Sequence, residues 1–156
     1  MLDLVVETSE LTKSQKLNIL ELWNNEYPEK LGHKTMSEFD VYLNNLTGKS
    51  HVLLLDKHAM VIGWYVDFIR NGEKWFVLIL DSKYQGKGFG TKLLNMAKEK
   101  EPVLNGWVID HNNDKKQNGE FYKSPLDFYL KNGFELLKDQ RLELDKISAV
   151  KITWKN

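Results

Sequence analysis

Two hydrophobic periods alternate along this chain and predict its elements. Residues 2–7 alternate poorly but are β-rich, and read as a first strand. Leu17, Leu20, Trp23 and Tyr27 then recur at helical spacing. The start of that helix is marked by Thr12 followed three residues later by Gln15, a capping-box pattern. Pro28 ends it, because the residue before a proline is pushed out of the α region. Thr35 and Glu38 repeat the start signal, and Phe39, Tyr42, Leu43 and Leu46 predict a second helix, with Gly48 suited to its stop. Apolar runs over 51–56, 59–70 and 73–80 read as three strands. Asn71-Gly72 between the last two is a strong hairpin signal, since both residues tolerate positive φ. The three strands therefore form an antiparallel meander. Trp64 and Tyr65 fall on opposite faces of its middle strand and read as core or sheet-face residues.

The meander runs into the most informative stretch. Trp75, Phe76, Val77, Leu78, Ile79 and Leu80 form an apolar run that Asp81 and Ser82 stop. Gln85-Gly86-Lys87-Gly88-Phe89-Gly90 follows, with a glycine at every second position, and then a helix with Phe89, Leu93, Met96, Ala97 and Lys100 on one side. Strand, glycine loop and helix together offer free backbone donors. The first N–H groups of a helix lack intrahelical acceptors, and the macrodipole makes that end positive. Anions bind there, and glycine lets the backbone approach them closely. Lys87 and Lys92 add charge nearby. A turn that merely connects two elements is the plainer reading of the glycines alone.

After this helix, Pro102 breaks the pattern and 106–109 makes a fifth strand, whose crossover connection predicts parallel pairing. Residues 110–120 show no apolar period and read as an exposed, floppy loop of unusual length. Ser124, Pro125 and Asp127 delimit the start of a short helix, and Gly133-Phe134 its end. Residues 134–137 and 142–154 close the chain as two strands, with Val150, Ile152 and Trp154 on one face.

Composition narrows the function. The chain has 156 residues, enough for one domain with a real core. Basic and acidic residues balance at 22 each, so no global positive field is present to hold nucleic acid. Cysteine is absent, which removes disulfides, thiolate metal sites and a cysteine nucleophile. No apolar run approaches the roughly 20 residues of a membrane span, and the N-terminus lacks a signal-peptide core. A cytoplasmic protein without membrane or nucleic-acid partners is expected.

The loop's spacing fits neither the P-loop nor the dinucleotide fingerprint. It does fit Q-x-x-G-x-G, from Gln85 through Gly88 to Gly90, and here the sequence resembles the GNAT superfamily of N-acetyltransferases. A second segment resembles the family in the expected order and spacing: an aromatic pair, Phe128-Tyr129, then three residues and Gly133-Phe134. The resemblance covers about 52–134. It implies a single domain over 1–156 of α/β (α+β) class, with a mixed, mostly antiparallel sheet of about seven strands and about four helices, splayed between strands 4 and 5. It further implies acetyl-coenzyme A as acyl donor and no metal. An amine-bearing small molecule or peptide is the implied acceptor, and a homodimer is compatible. Two departures stand out. Ser82 occupies a position where the family often has proline, and Tyr122 one where it often has a cofactor-contacting asparagine. Asn112 or Asn113 are candidates to substitute.

By the same resemblance, the amides of Gln85, Gly86, Lys87, Gly88, Phe89, Gly90 and Thr91 bind pyrophosphate. The backbone near Leu78, Ile79 and Leu80 pairs with the pantetheine arm and supplies an N–H toward the thioester oxygen. Tyr129 protonates the departing thiolate. Transfer is expected by direct attack of a primary amine through a tetrahedral intermediate. Such an amine, with a pKa of about 10.4, is neutral for only about one molecule in 2,500 at pH 7, a penalty of about 4.6 kcal/mol. A base is therefore expected, with His111 and Asp110 as candidates and Asp81 as an alternative. A non-catalytic module that binds acyl-coenzyme A, or an interaction domain of the same fold, is the competing reading.

Overall fold

The structure is a computed structural model and describes residues 4–156. The start of the strand expected over 2–7 lies outside the described residues; the rest is β1 (Leu4–Thr8). Helices α1 (Lys13–Glu26) and α2 (Met36–Asn44) follow, joined through a tight helical turn at Glu29–Leu31. Next come β2 (Thr47–Leu55), β3 (Val61–Arg70) and β4 (Glu73–Leu80). A tight turn at Ser82–Tyr84 leads into α3 (Phe89–Lys100) and β5 (Val103–Ile109). Helix α4 (Leu126–Lys131) and the hairpin β6 (Glu135–Leu144) and β7 (Ile147–Lys155) complete the chain.

The seven strands form one sheet in the order β1-β2-β3-β4-β5-β7-β6. Every neighbouring pair is antiparallel except β4 and β5. Helices cover both faces. Ile19, Trp23 and Phe39 from α1 and α2 pack on Trp64, Phe68 and Ile79. On the other face, Leu93 and Leu94 of α3 and Tyr129 of α4 pack on Tyr65 and Phe76. Trp64 and Tyr65 are both fully buried, one in each layer. Each fully buried leucine is worth roughly 2 kcal/mol relative to an exposed position.

Local signals act as expected at several ends. At Thr12 both arms of the capping box form, with the Gln15 N–H donating to Thr12 Oγ1 at 3.1 Å and the Thr12 N–H to Gln15 Oε1 at 2.9 Å. At Thr35 only the forward arm forms, from the Glu38 N–H at 3.2 Å. Asn71 and Gly72 sit at φ 53° and 74°, and Arg70 pairs with Glu73 across that turn.

Four expectations need correction. Gly48 does not stop α2, which ends at Asn44; it lies at φ 62° in β2, where a register shift between Thr47 and Ser50 bulges the strand. β6 does not stop at Leu137 but continues through a second register shift to Leu144, because β7 supplies partners along its length. In α3, Leu94 joins the buried face, while Lys100 sits at the surface in an ion pair with Glu7. Residues 110–120 are not a floppy loop. Lys115 and Phe121 form a bridge, the Glu29 N–H donates to the Lys115 carbonyl at 2.9 Å, and Lys30 pairs with Asp114 at 2.9 Å. Polar contacts to the tight turn that follows α1, invisible to periodicity, hold this segment down.

Candidate active site

The glycine loop is built by the tight turn before it. Asp81 caps that turn by accepting the Lys83 N–H at 2.9 Å. Gln85 closes it twice: its backbone N–H donates to the Ser82 carbonyl at 3.3 Å, and its side-chain Nε2 to the Leu80 carbonyl at 3.0 Å. Gln85 therefore ties the loop to β4, and its amide is withdrawn from the anion-binding set. Gly86 and Gly88 adopt φ 78° and 87°, a region in which a Cβ is strained. Open space surrounds both positions. The first bond of α3 is the Lys92 N–H to the Gly88 carbonyl at 3.0 Å. Ahead of it, among the described residues, no protein acceptor takes the N–H groups of Gly86, Lys87, Gly88, Phe89, Gly90 or Thr91.

Beside the loop the sheet opens. β4 and β5 are paired only at Trp75 and Asn105. Beyond that point they diverge. Alternation along an antiparallel pair fixes which backbone groups of β4 face the gap. The Asp81 N–H donates to the Ile62 carbonyl at 2.8 Å, so residue 81 faces β3. With the uninterrupted register from Gly63 and Leu80 to Arg70 and Glu73, Ile79 also faces β3, whereas Leu78 and Leu80 face the gap. The Gln85 bond to the Leu80 carbonyl and the Asn105 bond to the Lys74 carbonyl both agree. Of the three residues expected to pair with a pantetheine arm, Ile79 is thus already spent on β3.

The gap widens into a cleft of about 550 Å³. Its walls are Phe76, Leu78 and Val108 from the splayed strands, Trp23 and Tyr27 from the end of α1, and Tyr122 and Tyr129 from the α4 side. Tyr129 is buried and packs edge-on against Phe76 at 5.7 Å and Phe134 at 5.5 Å. Burial, reinforced by neighbouring Tyr122, pushes its phenol well above the ordinary range, so it stays protonated. Tyr122 is raised the same way, by burial and then by the charge of Glu26.

An acetyltransferase (GNAT) domain model matches residues 48–136, more than half of the chain. The chain belongs to the GNAT acetyltransferase family. No curated protein sequence matches it. Among solved structures, a GNAT-family acetyltransferase from Staphylococcus aureus Mu50 is 18% identical, with 99% of each chain covered and a TM-score of 0.68. The aminoglycoside 6'-N-acetyltransferase from Enterococcus faecium is 15% identical over 97% of this chain and 96% of that one, with a TM-score of 0.68. A phosphinothricin acetyltransferase from Sinorhizobium meliloti, in complex with AcCoA, is 13% identical over 99% of this chain and 89% of that one, with a TM-score of 0.69.

Against that GNAT frame, several residues stand where the sequence did not place them. Asp110 is not poised as a base. Both its oxygens accept from Arg141, at 2.9 and 3.0 Å, and that guanidinium holds its carboxyl below the usual range. His111 turns its Nδ1 lone pair to the Asn113 N–H at 3.1 Å, which leaves the proton on Nε2, facing Asp114 at 3.8 Å. Asn112 accepts the Ser124 N–H at 2.7 Å and so shapes the approach to α4. Ser82, the departure from proline, donates both its N–H and its hydroxyl to Glu26, at 3.1 and 3.0 Å. That tether between α1 and the turn before the loop was not anticipated. Nor was the part of Tyr27 and Tyr122 in the cleft, although the helical spacing of Trp23 and Tyr27 placed both on one face.

Proposed function

We propose that this GNAT protein transfers an acetyl group from acetyl-coenzyme A to a primary amine. The observation that carries the reading is the run of unpartnered main-chain N–H groups from Gly86 to Thr91, at the N-terminus of α3 and beside the splayed strands. A diphosphate suits those donors and the helix dipole behind them. The open space at Gly86 and Gly88 leaves room for it. The gap-facing backbone groups of Leu78 and the Leu80 N–H suit an extended amide-bearing chain laid in the gap, as a surrogate for the missing β5 partner, while the Leu80 carbonyl is held by Gln85. When bound, acetyl-coenzyme A supplies an activated acetyl thioester.

The protein's own contribution is positioning and charge stabilisation. The Leu78 N–H faces the gap and is placed to stabilise negative charge on the acyl oxygen. Tyr129, protonated and without a hydrogen-bond partner among the described residues, is the donor for the sulfur as it leaves. A thiol pKa near 8.5 makes that a modest demand. Among the described residues, the cleft lining holds no carboxylate and no imidazole. The amine therefore reacts as the neutral form that reaches the cleft from solvent, with no enzyme base drawing the proton. Relatives named for aminoglycoside and phosphinothricin acetylation support an amine as acceptor. The test is a thiol-release screen of amines with acetyl-coenzyme A, with mass spectrometry of the product. A product heavier by one acetyl group supports the reading; binding of acetyl-coenzyme A without release from any amine contradicts it.

A further inference from the structure

The cleft runs on from the splay toward the β3–β4 hairpin, and its outer half has a distinct chemistry. Trp23, Tyr42, Phe68, Trp75 and Trp107 line it, with Arg70 as the single charged side chain among the described residues. The Arg70 guanidinium lies over the Phe68 ring at 5.0 Å and the Trp75 ring at 5.3 Å. Cation–π contact of this kind holds the guanidinium against the rings, and its N–H donors suit a planar anion. Among the described residues no carboxylate is in ion-pair contact with it. The carboxylates next along the chain from lining residues are already engaged. Asp67 holds Tyr65 and Lys74, Glu26 holds Ser82, Asp110 and Glu143 hold Arg141, and Glu73, across the hairpin, pairs with Lys151 at 3.6 Å. A cleft that kept acidic side chains free would suit a polycation. This one has neutralised its acids: Lys151, over the Trp75 ring at 5.2 Å, is paired with Glu73, and among the described residues Arg70 is the cation at the aromatic wall without a carboxylate partner.

We propose that the acceptor is an amine on an aromatic or apolar body that carries an acid group, held by Arg70. Leu78, where the acyl group is placed, lies three residues along β4 from Trp75, over which the guanidinium stacks. At about 3.3 Å per residue, the amine site and the guanidinium are separated by roughly 10 Å, and a carboxylate bonded to that guanidinium lies about 3 Å nearer the amine. That span matches a para-substituted aryl amino acid or a short peptide with a free C-terminal carboxylate. It is too long for the amine and carboxylate of a single α-amino acid. The placement of the amine rests on the transferase reading above; the selectivity for an acid does not.

The experiment is equilibrium binding to protein saturated with coenzyme A, read by tryptophan emission, since Trp23, Trp75 and Trp107 all line the cleft. The probes are 4-(aminomethyl)phenylacetic acid, its carboxamide, and spermidine. The expected result is at least tenfold tighter binding of the acid than of the amide, with spermidine weakest. Arg70→Gln, an exposed position, abolishes the difference while acetyl-coenzyme A affinity matches wild type. The proposal is overturned if wild type binds the amide or spermidine as tightly as the acid, if it binds none of the three, or if R70Q keeps the preference. Absence of acetyl-coenzyme A binding to wild type would instead strike the transferase reading, so the two failures are distinguishable.

Discussion

Gly90 and Phe128 lie so close that a Cβ at position 90 would sit 2.8 Å from Phe128 Cζ. Gly90 closes the glycine loop, and Phe128 precedes Tyr129 on α4. The absence of one side chain thus lets the helix that carries Tyr129 seat directly on the helix that carries the loop. The expected outcome for Gly90→Ala is a loss of about 1–3 kcal/mol of stability through overpacking. Phe128→Leu in the same chain should restore part of it. Denaturant melts of the single and double variants check this; additive losses would contradict the contact.

The tether between Glu26 and Ser82 gives a second prediction. Ser82 donates twice to one carboxylate, and the turn it begins delivers Gln85 and the loop. Glu26→Gln and Ser82→Ala are expected to weaken acetyl-coenzyme A binding several-fold by calorimetry. Each lost bond to a charged group amounts to about 1.5–3 kcal/mol at most, spread over loop order and fold. Unchanged affinity in both variants would make the tether purely structural.

Tyr129 should show its role in rate rather than in binding. Tyr129→Phe is expected to lower kcat roughly tenfold, below the usual range for a general acid, because the thiolate leaves readily. Its phenol is raised above the ordinary value of 10 by burial, so no alkaline limb from Tyr129 is expected below that pH. With no base in the cleft, log kcat/KM should climb with unit slope up to the acceptor's own pKa. A plateau at neutral pH would reveal a base that the lining residues do not supply.

Stability should carry the signature of His51. This side chain is 1% exposed and accepts the Trp64 indole N–H at 3.0 Å on Nδ1. Burial, with a smaller effect of Lys49, pushes it from 6.5 down to about 4. Between those two values the unfolded chain binds a proton that the folded chain refuses. Folding free energy therefore falls as pH drops from 6.5 to 4, by up to roughly 3 kcal/mol, and is unaffected by this group above 6.5. Denaturant midpoints across that window check it, and His51→Gln should flatten the dependence.

What the sequence disclosed was local chemistry. The Thr12–Gln15 box, the Asn71-Gly72 turn and the strand–glycine–helix order are each written within a few residues, and the structure keeps all three. The order of strands around the splay followed from the family resemblance. Long-range polar contacts stayed hidden. Nothing in the residues of 110–120 signals that Gln117 bonds Asn25 at 2.6 Å or that Lys30 holds Asp114. The same blindness made Asp110 look available, since its partner Arg141 lies far along the chain in a segment that looked like a gap between strands. Arg70 was read only as the end of a strand, because its meaning depends on which carboxylates are absent from the space around it.

The central claim is that backbone hydrogens from Gly86 to Thr91 hold a diphosphate. Two-dimensional amide NMR of the wild-type protein during titration with acetyl-coenzyme A tests it directly. The account predicts that the amide resonances of Gly86, Lys87, Gly88, Phe89, Gly90 and Thr91 move most, and downfield, as donors do when an anion binds. Saturating ligand with those resonances unmoved would contradict it.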